Sequence, residues 1–343
     1  MRLLITTQAV DQDDPVLGFF VHWITEIAQH VEAVEVICLK EGLHTLPMNV
    51  RVHSLGKEER RSRITYVFRF FRYMYRLRRD YDAVFVHMNS EYVVLGGLWW
   101  RLWNKRIYLW RNHWSGGLKT MIAIWFSTNV FCTSKHSYTA QFKKTKIMPI
   151  GVDIAAFGAT GDVARTPHSI LFLARLDESK RPDLFVEALE RLHERGVAFT
   201  ASIVGNPTDP SSAYAHALRN RAATLSLEGV LTLKPGVSYR EVPKVFAAHD
   251  IFVNLSRSGM YDKTLVEAAA AGCLVLASSD DYAAEVDQRL VFADGDLDDL
   301  TKKLEALLSL PETDRAALRT LLDAFARKHS LPEMANRLAE ELV

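Results

Sequence analysis

The sequence predicts two doubly wound α/β domains, each a parallel sheet with helices on both faces. Three observations lead there. Short runs dense in Val, Ile, Leu and Phe alternate with longer helix-like segments along most of the chain, and continuously apolar strands separated by helices belong to a parallel sheet covered on both sides. The 343 residues are more than one hydrophobic core usually organises, so two domains are expected. The alternation breaks once, after KIMPIGVD (146–153), in AAFGATGDVARTPHS, a stretch with Gly, Thr and Pro and little apolar periodicity. Taking that stretch as the linker gives domains 1–155 and 156–343.

The elements follow in order. RLLITT opens the chain as a strand, FFVHWITEIAQHV reads as a helix and VEVICL as a second strand, and the Arg-rich stretch 60–79 reads as a further helix-like segment. DAVFVH, RIYLWRN and NVFCTS then give three more strands. A second series starts at SILFLAR: helix 181–195, AFTASIVG, helix 213–226, VLTLKPG, helix 239–248, DIFVNLS, helix 264–271 and CLVLASS. The last stretch is helical apart from Ser-Leu-Pro at 330–332, where Pro332 suits the first turn of a new helix. These terminal helices are candidates to pack back on the N-terminal domain. MRLLITTQAV reaches Asp11 before any apolar stretch of signal-peptide length, so it reads as a first strand. The apolar runs 92–100 and 121–126 stop well short of the ~20 residues that span a bilayer.

Composition narrows the function classes. At 48% hydrophobic and 24% charged the chain is ordinary globular protein, neither disordered nor fibrous. Cys38, Cys132 and Cys273 are odd in number and lie outside any CxxC or Cys/His cluster, which argues against disulfides and structural zinc and for a reducing, cytoplasmic setting. The net charge of +1 hides an asymmetry: residues 1–150 hold 21 Lys and Arg against 12 Asp and Glu, a net +9, which leaves 21 against 29, a net −8, for the rest. The N-terminal half is therefore suited to meet something anionic.

Two open parallel sheets bind ligands at the carboxyl ends of their strands, so chemistry is sought in the loops there. In ILFLARLDESKRPDLFVEAL, Arg175 and Lys180 follow a strand and precede Pro182 at a helix start. A guanidinium fork and an ammonium point charge suit a diphosphate; the plain alternative is two solvated surface charges. In DIFVNLSRSGMYDKTLVEAAAAGCLVLASS a polar loop leads into a helix at Lys263 or Thr264, whose free N–H groups would attract an anion. Glu267, one turn in, is placed to accept hydrogen bonds from sugar or ribose hydroxyls, or merely to complement the helix dipole. His87 and His113 each end a predicted strand, and each is read as a site residue or a hydrogen-bonded structural histidine.

Over 146–290, the segments IMPIGVDIAAF, LFLARLDESKRPDLFVEAL, SIVGNP, LKPGVSYREVPKVFAAHDIFVNLS and DKTLVEAAAAGCLVLAS, in this order and spacing, resemble the retaining, nucleotide-sugar-dependent glycosyltransferases of family 4. The resemblance implies the GT-B fold, two Rossmann-like domains facing a cleft, with an acceptor-binding N-terminal and a donor-binding C-terminal domain. It implies that Arg175 and Lys180 bind the donor diphosphate, that Glu267 binds the ribose, and that Lys263 and Thr264 approach the phosphates. Gly205 and the Gly236-Val237 loop would lie near the base, and Gly18 would let backbone approach the phosphate from the other domain. His113 matches the histidine beside the transferred sugar and is the catalytic candidate, with His87 second. Attack from the front face is implied, with the leaving diphosphate taking the acceptor proton and Arg175, Lys180 and the helix end stabilising the charge. One departure stands out: the family's first glutamate, eight positions before Glu267, is Gly259 here.

No metal and no resident cofactor are expected, the nucleotide-sugar (UDP- or GDP-linked) being a co-substrate. Asp11-Gln12-Asp13 and Asp294-Gly295-Asp296 have the DxD spacing of another glycosyltransferase fold but lie in the wrong context, and no GxGxxG, Walker A or GxSxG element appears. In stretch 60–79, Arg interleaves with Tyr, Phe and Met, as in helices that lie on anionic membranes, or as in a helix packed on the sheet with a solvated Arg face. Lys143, Lys144 and Lys146 extend the patch. The expectation is a glycosyltransferase of polysaccharide or glycolipid synthesis, cytoplasmic and peripheral at the membrane, with a saccharide or lipid-linked acceptor and no nucleic-acid partner. A GT-B nucleotide-sugar epimerase and a non-catalytic nucleotide-sugar-binding scaffold are the alternatives.

Overall fold

The computed structural model describes every residue except Asp162, Met260 and Val343. It divides into two compact units: Met1–Gly151 with Ser238–Arg240 and Leu331–Val343, and Val152–Val237 with Glu241–Ser330.

The first unit runs β1 (Arg2–Val10), α1 (Phe19–Gln29), β2 (Ala33–Glu41), β3 (Val50–Ser54), α2 (Arg63–Arg76), β4 (Ala83–His87), α3 (Ser90–Leu102), β5 (Arg106–Trp110), α4 (Leu118–Phe126), β6 (Asn129–Cys132) and β7 (Thr145–Ile147). The seven strands are parallel in the order β3-β2-β1-β4-β5-β6-β7. Successive β1 residues feed opposite faces. Leu3 and Ile5 join the core under α1, and Leu4 joins the core under α2, α3 and α4. The C-terminal helix completes the first of these layers, since Leu331, Met334 and Leu338 are buried in the same cluster as Phe20 and Ile24. β3 is absent from the apolar reading of the sequence because it is an edge strand, part-exposed along its length.

The second unit runs α5 (Ile154–Gly158), β8 (Ser169–Leu173), α6 (Pro182–Glu194), β9 (Thr200–Val204), α7 (Ala213–Leu227), β10 (Leu231–Lys234), α8 (Val242–Ala247), β11 (Ile251–Asn254), α9 (Lys263–Ala270), β12 (Leu274–Ala277), α10 (Asp280–Ala283), α11 (Leu297–Leu308) and α12 (Glu312–Lys328). α13 (Leu331–Glu341) then returns to the first unit. Five parallel strands are ordered β10-β9-β8-β11-β12, so the order reverses between β8 and β11. The segment read as linker contains a helix: Asp153 accepts a hydrogen bond from the Ala156 N–H to cap α5, and Phe157 packs on Phe246. Beneath the sheet, Asp250 is buried and held by Arg315, by Arg319 at 2.7 Å and by the His168 N–H at 3.0 Å.

Candidate functional site

Ligands of open parallel sheets sit where strand order reverses, because the flanking connections diverge to opposite faces and leave a crevice at the carboxyl ends. In the second unit that point lies between β8 and β11, and the loops leaving these strands meet there. Lys180, eighty-two positions from its partner, donates to Asp262 Oδ2 at 2.6 Å and to Ser256 Oγ at 2.9 Å. Burial alone would raise the Asp262 carboxyl, but the Lys180 charge and hydrogen bond, with the hydrogen bonds from the Thr264 N–H and hydroxyl, hold it well below the usual carboxylate range. Arg175, from the same loop as Lys180, stays largely in solvent with its nearest acid, Asp177, at 3.9 Å.

α9 begins at Lys263, within the span expected from sequence. Its first turn, however, is not open to an anion in the expected way. Asp262 Oδ1 accepts from the Thr264 N–H at 3.2 Å and hydroxyl at 3.0 Å, and the Asp262 carbonyl accepts from the Leu265 N–H. Asp is a preferred N-cap, and here it occupies donors the sequence reading left free. Asn254 Nδ2 donates to Thr264 Oγ1 at 3.0 Å, tying the end of β11 to the helix start.

Glu267 is fully buried. Lys263, one turn earlier, donates to Oε1 at 2.6 Å, while Oε2 has no hydrogen-bond partner. A buried carboxylate oxygen without a donor costs about 1–3 kcal/mol in the folded state, so it is a position where a ligand hydroxyl gains a charged hydrogen bond. Beside β9 and β10 lies a concavity of about 250 Å³, lined among others by Leu176, Gly205, Asn206, Leu218 and Pro235. Gly205 is obligatory there, because a Cβ would stand 1.9 Å from the Ala174 carbonyl oxygen. The Gly236 N–H donates to Asn206 Oδ1 at 3.1 Å, and Val237 is the last residue of this segment. Gly259 has φ +98°, a conformation glutamate rarely adopts, and its N–H faces the buried Asp281 Oδ2 at 3.5 Å.

In the first unit, Gly18 caps α1 with ordinary helical φ, and its need for glycine is one of space. A Cβ would lie 2.8 Å from the Asp14 and Gln12 carbonyls and from the Tyr239 Cβ. The two candidate histidines differ. His87 is in the core, stacked on Phe20 at 3.9 Å with Nδ1 3.2 Å from Thr7 Oγ1, and burial pushes its pKa down to about 3. His113 is half-buried on Trp114, and its Nδ1 accepts the Ser115 N–H at 3.0 Å. The Ser115 carbonyl oxygen also lies 3.2 Å from Nδ1, so either nitrogen of the neutral ring can carry the proton, and Nε2 serves as donor or acceptor accordingly. Sequence reasoning missed Arg111 at the end of β5, whose Nε is buried without a partner and whose pKa burial pushes down.

The aspartates with DxD spacing are each engaged. Asp11 pairs with Lys40 at 2.8 Å and Asp13 with Arg240 at 3.2 Å; Asp294 pairs with Arg181 at 2.8 Å and Asp296 caps α11. Among the described residues no group of three His, Cys, Asp or Glu side chains is disposed to hold a metal, and no helix is long and apolar enough to cross a membrane.

Comparisons with known proteins bear on the fold and the family. Residues 161–320 match the family model of the group 1 glycosyl transferases. The chain is 30% identical over 219 residues to a D-inositol 3-phosphate glycosyltransferase of Kineococcus radiotolerans, covering 59% of this chain and 49% of that protein. The chain thus spans about half the length of the curated relatives it matches. Its fold is that of Anabaena HepE in complex with UDP-glucose, with a TM-score of 0.76 at 18% identity over 100% of this chain and 99% of the other. Sucrose-phosphate synthase from Thermosynechococcus elongatus aligns with a TM-score of 0.70 at 14% identity, over 99% and 97% of the two chains. The architecture, two all-parallel α/β units, is GT-B.

Proposed function

We propose that the chain is a retaining glycosyltransferase of the family 4 type, moving a sugar from a UDP- or GDP-linked donor to a saccharide or lipid-linked saccharide acceptor. The observation that carries the reading is Glu267: a fully buried carboxylate with one oxygen fixed by Lys263 and the other unpartnered. A buried acceptor of this kind selects a ligand that brings a hydroxyl, and ribose brings two. The matching group 1 glycosyl transferase region and the UDP and UDP-glucose bound to HepE support a nucleotide-sugar as that ligand.

In this reading Glu267 takes the ribose, and the concavity around Gly205 and Asn206, with the Gly236-Val237 loop beside it, takes the base. Arg175 and Lys180 stabilise the charge that develops on the diphosphate as the glycosidic bond breaks, and Lys263 and Thr264 join them as they give up the hydrogen bonds they make to Glu267 and Asp262. The acceptor hydroxyl attacks from the face the diphosphate leaves, and its proton passes to the departing phosphate oxygen. His113 Nε2 serves the hydroxyls of the transferred sugar, and Gly18 lets backbone approach the phosphate. Synthesis of a polysaccharide or glycolipid at the cytoplasmic membrane face belongs to the same proposal, supported by eight arginines and no acid in 60–79. The second reading, a non-catalytic nucleotide-sugar binder, is favoured only by Gly259 standing where the family has a glutamate.

The test is thermal unfolding with UDP, GDP, ADP and the matching nucleotide-sugars, with and without EDTA, followed by donor turnover. One nucleoside diphosphate should raise the Tm regardless of EDTA, and Arg175→Ala should weaken that effect. No stabilisation by any nucleotide would remove the reading, and binding without turnover on any saccharide acceptor would favour the scaffold.

A further inference from the structure

The helices α2, α3 and α4 form one layer over the first unit's sheet, and their outward faces are apolar. α2 has two apolar stripes. Phe70 and Met74 are buried against the sheet, while Ile64, Phe68 and Tyr75, at helical spacing on a different face, are exposed. α3 repeats this: Trp100 is buried, and Leu98, Trp99 and Leu102 are exposed. On α4, Leu118, Met121 and Trp125 recur at i, i+3 and i+7 and are more than half exposed.

The three stripes are continuous. Tyr75 of α2 lies against Trp103 at 6.1 Å between ring centroids, and Trp103 against Trp99 at 6.2 Å. α3 and α4 approach so closely that a Cβ on Gly97 would stand 2.8 Å from the Phe126 ring, and Arg101 donates to the Phe126 carbonyl. Soluble chains rarely leave so many large apolar side chains together in water unless the surface meets a partner.

The charge around the face selects the partner. From Arg60 to Lys146 the sequence holds 17 Lys and Arg against 3 Asp and Glu, a net +14, of which Glu59 and Glu341, outside that range, offset part by pairing with Arg61, Arg69 and Lys146. Of the three acids, Glu91 is paired with Lys119 and Asp82 with Arg2, leaving Asp80. Among the described residues no acid pairs with Arg72 or Arg76, which flank the exposed stripe of α2. Tryptophans that expose a broad ring, aliphatic side chains and unpaired arginines on one face suit the boundary between lipid headgroups and acyl chains, where each finds its medium at the same depth.

We infer that the outer face of α2, α3 and α4 docks this unit on an anionic lipid bilayer, with Phe68, Trp99, Leu102 and Trp125 entering the interface and the arginines meeting lipid phosphates. The inference extends the membrane part of the proposal above and is independent of the transfer chemistry.

The test is co-flotation of the full chain with phosphatidylcholine vesicles and with vesicles containing phosphatidylglycerol, at low and high salt. The wild type should prefer the anionic vesicles. Arg72→Gln with Arg76→Gln should weaken partitioning about 30-fold, from about 1 kcal/mol for each charge at the surface. Trp99→Ser with Trp125→Ser should weaken it at least tenfold and lower the Tm by no more than a few degrees, since Trp125 is exposed and Trp99 nearly half so. Equal binding to both vesicle types, or tryptophan variants that bind like wild type, would overturn the inference. So would a dimer in solution that these variants dissociate, which would make the face a contact between two copies. Nucleotide stabilisation measured on the same samples separates this result from the transferase reading: vesicle binding without a nucleotide effect leaves the surface standing, and the reverse leaves the donor site.

Discussion

Replacing Glu267 by Gln tests the donor site at its most buried point. The change keeps the shape and removes the charge. In the free protein the effects partly offset: the Lys263 hydrogen bond at 2.6 Å weakens, but the Lys263 ammonium is about a quarter exposed and can turn to water. The unmet carboxylate oxygen, which already costs about 1–3 kcal/mol, disappears as a charge. Tm of the free variant is therefore expected within a few degrees of wild type. The ligand effect is different. A hydroxyl hydrogen-bonded to a buried carboxylate contributes about 1.5–3 kcal/mol, so Kd for UDP or GDP should rise about 10- to 150-fold. At a concentration 100 times the wild-type Kd, the ligand stabilises wild type by about 2.7 kcal/mol, and the variant by only about 0.3 to 1.4 kcal/mol. For a unit of this size that separates a Tm rise of about 5–10 °C from one of about 1–5 °C. The 2′,3′-dideoxy nucleotide closes the cycle: wild type should bind it less well than the ribonucleotide, and the variant, left with a neutral amide acceptor, should discriminate between the two less. A variant that still distinguishes them as wild type does would place the carboxylate away from the ribose, and the assignment fails.

Three further outcomes are expected. Gly205→Ala forces a Cβ to within 1.9 Å of the Ala174 carbonyl, so the loop carrying Arg175 must move; Tm should fall by several degrees and nucleotide stabilisation with it, and an unchanged Tm would show that the β8–β9 approach is not tight. Arg315→Met leaves the buried Asp250 with Arg319 and one N–H, and should cost about 2–4 kcal/mol in chemical denaturation, less than the full loss of a buried pair; a cost under 1 kcal/mol would refute the network. His87 titrates near 3 when folded and at its ordinary 6.5 when unfolded, so between these pH values the unfolded chain holds the extra proton and stability falls as pH falls. The loss should reach about 3 kcal/mol by pH 4 relative to pH 7, and His87→Asn should remove that share of the pH slope, which parallel wild-type and variant denaturation curves would disprove.

Much of the fold was legible because parallel strands buried on both faces leave continuous apolar runs that polar positions do not interrupt. β3 was not, since an edge strand with half-exposed residues carries no such run. Within the site, the Lys263–Glu267 pair follows from helical spacing, and Asp262 before an apolar helix is a readable cap signal. The contact of Lys180 with Asp262 was not readable, because adjacency of β8 and β11 comes from strand order and not from sequence neighbourhood. The histidines show the same limit. His87 ends β4 as expected, whereas His113 lies three residues past the end of β5; Phe20 on α1 covers His87 and the Ser115 turn folds against His113, and neither arrangement leaves a local pattern.

The crevice at the switch point of the second unit also explains how the cations divide their work. Arg175 stands near Asp177, Lys180 on Asp262 and Lys263 on Glu267, so three cations meet three acids before any ligand arrives. Lys180 is already satisfied by Asp262 and Ser256, so a phosphate gains from it only the difference between two charged hydrogen bonds. What the pair supplies is position: it ties the loop after β8 to the cap of α9 and fixes the ammonium where the loops converge, so little ordering is left for binding to impose. Arg175 is the opposite case, solvated and with its nearest acid at 3.9 Å. It gives up little on turning to a phosphate and presents a bidentate fork to it. In the proposed donor complex, affinity for the diphosphate would therefore rest mainly on Arg175, and the geometry into which it binds on the Lys180–Asp262 pair.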